Sequence, residues 1–358
     1  MSSLSFSTGS EALQNADRLV VKIGGENASF FQENYENTRK RIEQGQKIVL
    51  AVSALRGPRG AFNTTSELQN IAALVAQKQE TSGSVARITR FAIDAVIRDS
   101  EQLCASQKIS RQFQGFFLRH MQKVIMREGA ICQSYLHEAV RKGVKPLRLG
   151  ADALLPISSR EKYFSITGWG ERLAETMYRE YFTQRRVPAA TLPTDTLPFD
   201  AYRSDPYHIL LEPKAKHAAL ERMRVHVRSA IADTFWSQGS SLIIASGYFP
   251  LLAAKRGYSD TGAAFIAQAV QEACGDVVCL IRKQFPVMKV DPRSIAQPLS
   301  DSIVSHLTFE EAEEAMREGG SAAGVIHPHA LTLLKQRKIP TVVGSTYGEE
   351  NGSLTLVM

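Results

Sequence analysis

Short, nearly unbroken apolar runs alternate along this chain with longer stretches whose apolar residues recur every three or four positions. The runs are Leu19–Ile23, Ile48–Ser53, Val187–Leu192, Ser241–Ser246, Val277–Ile281, Gly324–Ile326, Pro340–Val343 and Leu354–Val357. Their shortness and lack of polar alternation predict strands whose two faces are both covered. The covering helices are predicted at Glu171–Phe182, Thr261–Cys274 and Phe309–Glu318, among others. The last carries its own punctuation: Thr308 and Glu311 have capping-box spacing, and Gly319 stands where a helix C-terminal glycine belongs. The alternation predicts an α/β chain, a three-layer αβα sandwich around a mainly parallel central sheet. From about Ser84 to Arg141 the pattern reads as helix after helix, a helical insertion. Pro198, Asp200, Ser204, Asp205 and Pro206 cluster between the halves. A lobe boundary is expected there, dividing residues 1–200 from 201–358.

Composition narrows the function classes. With 358 residues, 44% of them hydrophobic, the chain can bury a large core. It has no apolar run long enough to span a bilayer, and its first residues lack a signal-peptide core, so a cytoplasmic protein with no membrane partner is expected. The formal charge of +7 suits anionic small molecules. Arginines along the helical insertion lack the aromatic interleaving of a nucleic-acid face, so no nucleic-acid partner is expected. Cys104, Cys132, Cys274 and Cys279 have no metal-ligand spacing and read as reduced, buried thiols. No protein metal site is expected.

Four segments carry candidate chemistry. The first strand ends in Lys22-Ile23-Gly24-Gly25, where glycine backbone can approach an anion and a lysine adds charge; an ordinary Gly-Gly turn is the alternative. The second strand leads to Ser53 and then Asn63-Thr64-Thr65-Ser66, hydroxyls that serve either a ligand or a plain helix cap. The intervening loop lacks the Lys-Ser/Thr ending of a Walker A motif, which excludes it. Glu171 opens a helix, as a cap or facing a ligand ammonium. Lys255-Arg256-Gly257-Tyr258-Ser259-Asp260 offers an arginine fork for a carboxylate and an aspartate for an ammonium, with an N-cap role for Asp260 equally open.

In order, Val-Lys-Ile-Gly-Gly, Thr-Thr-Ser-Glu-Leu, Gly-Glu-Arg-Leu, Arg-Gly-Tyr-Ser-Asp, Asp291-Pro292-Arg293 and Val325-Ile326-His327-Pro328 resemble the motifs of the aspartokinases of the amino acid kinase family. The resemblance runs from about Leu19 to the C-terminus. It implies phosphoryl transfer from ATP, with Mg²⁺ carried on the phosphates, to the side-chain carboxylate of aspartate, and a homodimer. It implies Lys22 and Asp260 as catalytic residues, the aspartate organising the lysine. Ser53, Thr65, Glu171 and Arg256 fall on the amino-acid side. Gly24, Gly25, Gly247, Lys255, Lys283 and Arg293 fall on the nucleotide side.

The nucleotide half departs from the family pattern. Glu26-Asn27 follows Gly25 where the family carries Thr or Ser, Arg282-Lys283 replaces a Thr-Asp pair, and Gly324 replaces a lysine. Lys283, Lys289 and Lys255 are candidates to restore the missing charge. The chain stops where the catalytic domain's last strand should end, so no C-terminal regulatory domains and no feedback inhibition through them are expected. A fold-sharing enzyme with another donor or reaction, and a catalytically silent regulatory paralogue, remain alternatives.

Overall fold

The apolar runs become strands in a computed structural model that describes residues 6–57, 62–106, 110–149, 152–157, 162–192, 213–249, 258–283, 285–289, 302–317, 326–345, 349 and 352–358. In chain order the strands are β1 (Arg18–Ile23), β2 (Lys47–Val52), β3 (Leu147–Leu149), β4 (Asp152–Ile157), β5 (Lys162–Ser165), β6 (Ala190–Leu192), β7 (Leu242–Ser246), β8 (Val278–Arg282), β9 (His306–Leu307), β10 (Thr341–Gly344) and β11 (Leu354–Val357). The helices are α1 (Gly9–Asn15), α2 (Phe31–Glu43), α3 (Thr64–Ala76), α4 (Ser82–Ala105), α5 (Arg111–Lys142), α6 (Trp169–Gln184), α7 (Pro213–Ala232), α8 (Tyr258–Cys274), α9 (Phe309–Arg317) and α10 (Pro328–Gln336).

Eight strands form one sheet in the order β6-β7-β2-β1-β8-β10-β11-β9. Every pairing is parallel except β10 with β11. Helices cover both faces, giving the expected sandwich. The chain leaves β1 toward β2 on one side and reaches β8 on the other, so the sheet order reverses at β1. In open α/β sheets the crevice beyond the carboxyl ends of the strands at such a point is where ligands bind.

The period of two along each strand sorts side chains between two cores. Leu19, Val21, Ile23, Leu50, Val52, Val278 and Leu280 face one layer with residues of α2 to α6. Val20, Val49, Ala51, Cys279 and Ile281 face the other, with α7, α8 and α10. These strands are buried nearly throughout, as their unbroken apolar character requires.

The helical insertion is α4 packed on α5, two long helices of 24 and 32 residues. Asp99 of α4 ties it to the sandwich. One carboxylate oxygen accepts the Gln32 N–H at 2.8 Å, at the start of α2, and the other accepts the Tyr181 hydroxyl at 2.6 Å. α2 has no side-chain cap of its own, so the insertion supplies one. The capping box is present: Thr308 N–H and hydroxyl both donate to Glu311, and Glu311 N–H donates to Thr308.

The structure corrects several expectations. β3, β4 and β5 form a separate three-stranded antiparallel sheet that the apolar pattern missed. The expected strand Val187–Leu192 shrinks to β6, its first residues being exposed or half-exposed. Ile326 belongs to no strand, while Gly324, Val325, Gly319 and the expected lobe boundary lie outside the described residues. All four cysteines are free, but only Cys132 and Cys279 are buried; burial pushes the Cys279 thiol up to about 12. No described helix is long and apolar enough to cross a membrane.

Candidate active site

The alternation that sorts the core also gathers the site. Lys22 shares a strand face with Val20, Ser53 extends the face of Val49 and Ala51, and Lys283 extends that of Cys279 and Ile281. All three therefore emerge at the carboxyl end of the sheet on the side covered by α8, whose first turn carries Asp260.

Asp260 is nearly fully buried and stands between two ammonium groups. Lys22 Nζ lies 2.7 Å from Oδ1, in ion-pair contact rather than a well-directed hydrogen bond. Lys283 Nζ donates to Oδ2 at 2.7 Å. Burial by itself would raise the Asp260 carboxyl, but the two lysines outweigh it and hold the group well below the usual carboxylate range. Burial also lowers Lys22, to about 8; Asp260 opposes this, Lys283 reinforces it, and Glu171 adds a smaller opposing field. Asp260 lies inside the first turn and is held by two lysines, so its part here is that of a shared counterion.

The Gly24-Gly25 turn closes over the same point. Neither glycine has a left-handed φ, so conformational freedom is not why they are needed. Space is: a Cβ at 24 would sit 3.0 Å from the Arg282 carbonyl and 3.5 Å from Lys22 Nζ, and one at 25 would sit 3.1 Å from the Ala54 carbonyl. Gly24 donates its N–H to that Arg282 carbonyl at 3.3 Å. The Gly25 N–H has no acceptor among the described residues and is the amide left for an anion. Gly247, expected on the nucleotide side, donates its N–H to Val52 at 2.8 Å, so its own amide is engaged within the fold. Gly262 of α8 packs so close to it that a Cβ there would reach 2.0 Å from the Gly247 carbonyl.

On the other flank Ser53 donates to Ser259 at 2.5 Å, both buried. Glu171 is buried in the first turn of α6. Thr65 is half-buried in the first turn of α3, whereas its neighbour Thr64 is buried and donates to the Leu55 carbonyl at 2.7 Å. Lys255, Arg256 and Arg293 lie outside the described residues. Glu175, one turn beyond Glu171, was not expected. It accepts the Ser246 N–H at 3.1 Å where β7 ends, and burial pushes it up to about 7.

Arg282, beside Lys283 in the sequence, has a different part. Its parity with Val278 and Leu280 turns it to the opposite face, fully buried. It donates to Glu349 at 2.6 and 3.2 Å and to Asn34 at 2.9 Å, while Arg41 meets the same Glu349 at 2.9 Å. Reading Arg282-Lys283 as one altered nucleotide motif is thus corrected: the first residue is a core anchor and only the second reaches the site. Arg282→Met should destabilise the protein by about 3–5 kcal/mol, because it strips a partner from a buried carboxylate. Urea unfolding measures this; a loss below about 1 kcal/mol would show the network to be dispensable.

Among the described residues no group of three or more His, Cys, Asp and Glu could hold a metal ion. The family model described as "Amino acid kinase family" matches residues 17–345. Aspartokinase III of E. coli, solved with lysine and aspartate in its T-state, superposes with a TM-score of 0.58 at 19% identity. That match covers 96% of this chain and 65% of the aspartokinase. An aspartate kinase of Clostridium acetobutylicum superposes with a TM-score of 0.52 at 14% identity, covering 95% of this chain and 62% of that one. This chain thus spans just under two thirds of each. No curated protein sequence matches it.

Proposed function

This chain belongs to the amino acid kinase family, and we propose that it transfers the terminal phosphoryl group of ATP to the side-chain carboxylate of aspartate or a close analogue. The observation that carries this reading is Asp260 held between Lys22 and Lys283, beside the Gly24-Gly25 turn. In the reaction a carboxylate oxygen attacks the γ-phosphorus, the bond to the β-phosphate oxygen breaks, and ADP leaves with that electron pair. Such transfer needs alignment and neutralisation of charge more than covalent help from the protein. Lys22 supplies a fixed positive charge to the group in flight, and Asp260 keeps that lysine in place and protonated. The Gly25 N–H, without an acceptor among the described residues, can bond a phosphate oxygen. Ser53, Thr65 and Glu171 stand on the side assigned to the amino acid, with Arg256 as the fork for its carboxylate. Magnesium carried on the phosphates would add neutralisation of their charge. We extend the same reading to a homodimer in the cytoplasm.

The test is direct: incubate the protein with Mg-ATP, aspartate and hydroxylamine, and follow the hydroxamate and ADP. Hydroxamate formed only with aspartate present is the expected result. ADP release that depends on a different acid would reassign the acceptor, and no transfer to any acid would overturn the kinase.

A pH dependence follows from the Lys22 value. The ammonium is the active form, so kcat/KM should fall about tenfold per unit as pH rises above about 8, its folded value. A flat profile up to pH 10 would contradict a charge-bearing role for this lysine.

A further inference from the structure

We propose that Lys283 is the second phosphate-binding cation of this site, held by Asp260 until the nucleotide arrives; this rests on the kinase reading above. Lys22 and Lys283 come from neighbouring parallel strands, with Ile23 opposite Arg282 in the register, so both reach the same end of the sheet. Their surroundings differ in a way that divides the work. The Lys22 side chain is 5% exposed, whereas that of Lys283 is 24% exposed. Lys283 is thus the one whose ammonium retains access to an incoming ligand.

An ammonium has three N–H donors. Among the described residues Asp260 is the only partner of Lys283, so one donor is engaged and two are left. Both ammoniums contact the single Asp260 carboxylate, while Glu171 adds only a weaker field to Lys22, and a phosphate would give Lys283 an anion of its own. The backbone of Lys283 is meanwhile fixed, its N–H donated to Gly344 at 2.9 Å, so the side chain can swing without moving the strand end. Lys289, the other described candidate for the missing charge, is exposed and its backbone N–H is donated to Ser302. Position 324, where the aspartokinase pattern has a lysine, is glycine.

The experiment compares wild-type protein with Lys283→Met, Lys283→Gln and Lys283→Arg, measuring binding of Mg-ATP, Mg-ADP and adenosine by calorimetry, together with turnover. Melting temperatures without ligand establish that each variant folds. The expected result is a loss of about 10- to 100-fold in ATP affinity for the two neutral variants. Adenosine binding should be unchanged, and Lys283→Arg should recover most of the loss. ATP affinity within twofold of wild type in a folded neutral variant would overturn the proposal and leave the kinase reading standing. Lower turnover with ATP and adenosine bound as in wild type would also overturn it, because Lys283 would then only brace Asp260. Wild-type protein that binds no nucleoside triphosphate would bring down the kinase reading and this proposal together.

Discussion

Lys22→Ala is expected to lower turnover by at least about 100-fold while leaving a folded protein. The lysine is buried at the end of β1, with Nζ 2.7 Å from Asp260 and within 3.5 Å of where a Cβ on Gly24 would lie. A charge so placed meets whatever anion enters above the glycine turn, and stabilisation of developing charge in a dry site is usually the largest single contribution to catalysis. The fold should survive, because Asp260 keeps Lys283 as a partner and removing Lys22 relieves the cost of burying an ammonium. The comparison is of hydroxamate formation with the unfolding curve of the same preparation. Near-normal rates from a folded variant would remove Lys22 from the mechanism.

Asp260→Asn should be at least as damaging, and in two ways. Without the carboxylate, Lys22 loses the attraction that opposes its burial, so its value falls below about 8 and more of it is neutral at pH 7.5. Two ammonium groups also lose the carboxylate they share, a loss of about 3–5 kcal/mol for a buried pair. Turnover should drop about 100-fold or more, with its alkaline decline moved to lower pH. Stability carries a further signature. The folded Asp260 value lies below that of the unfolded chain, so its contribution is complete above about pH 4 and is lost as pH falls through the folded value. Wild type should therefore lose melting temperature on acidification more steeply than Asp260→Asn. Parallel acid profiles for the two proteins would show that Asp260 is not a stabilising ion.

The two substitutions in the β8 exit show how parity decides a residue's meaning. Arg282 and Lys283 are adjacent and both basic, and in sequence they read as a single altered motif. In a strand, neighbours point to opposite faces. Arg282 accordingly enters the core that holds Asn34 and Glu349, and Lys283 enters the crevice. The signal was available, since Val277, Cys279 and Ile281 share one face and Val278 and Leu280 the other, but reading it requires knowing which face α8 covers.

By itself the sequence determined the sandwich, because β1, β2, β7, β8, β10 and β11 are runs too apolar to leave either face in water. It determined the helical insertion, through two long stretches of helical period, and the α9 cap, through the local Thr308–Glu311 pairing. It also marked Lys22, Gly24, Gly25, Ser53, Glu171 and Asp260 by local residue chemistry and by likeness to a family. Only the tertiary structure decided that Asp260 is shared by Lys22 and Lys283, since the partners lie 238 and 23 positions away in the chain and meet where three strand ends and one helix converge. It alone decided that Gly24 and Gly25 serve closeness rather than backbone freedom, and that the Gly247 amide belongs to the fold. The small sheet of β3 to β5 was hidden for a related reason: β3 and β5 are short and mixed in polarity and Pro156 interrupts β4, so pairing with one another, rather than any pattern within one, makes them strands.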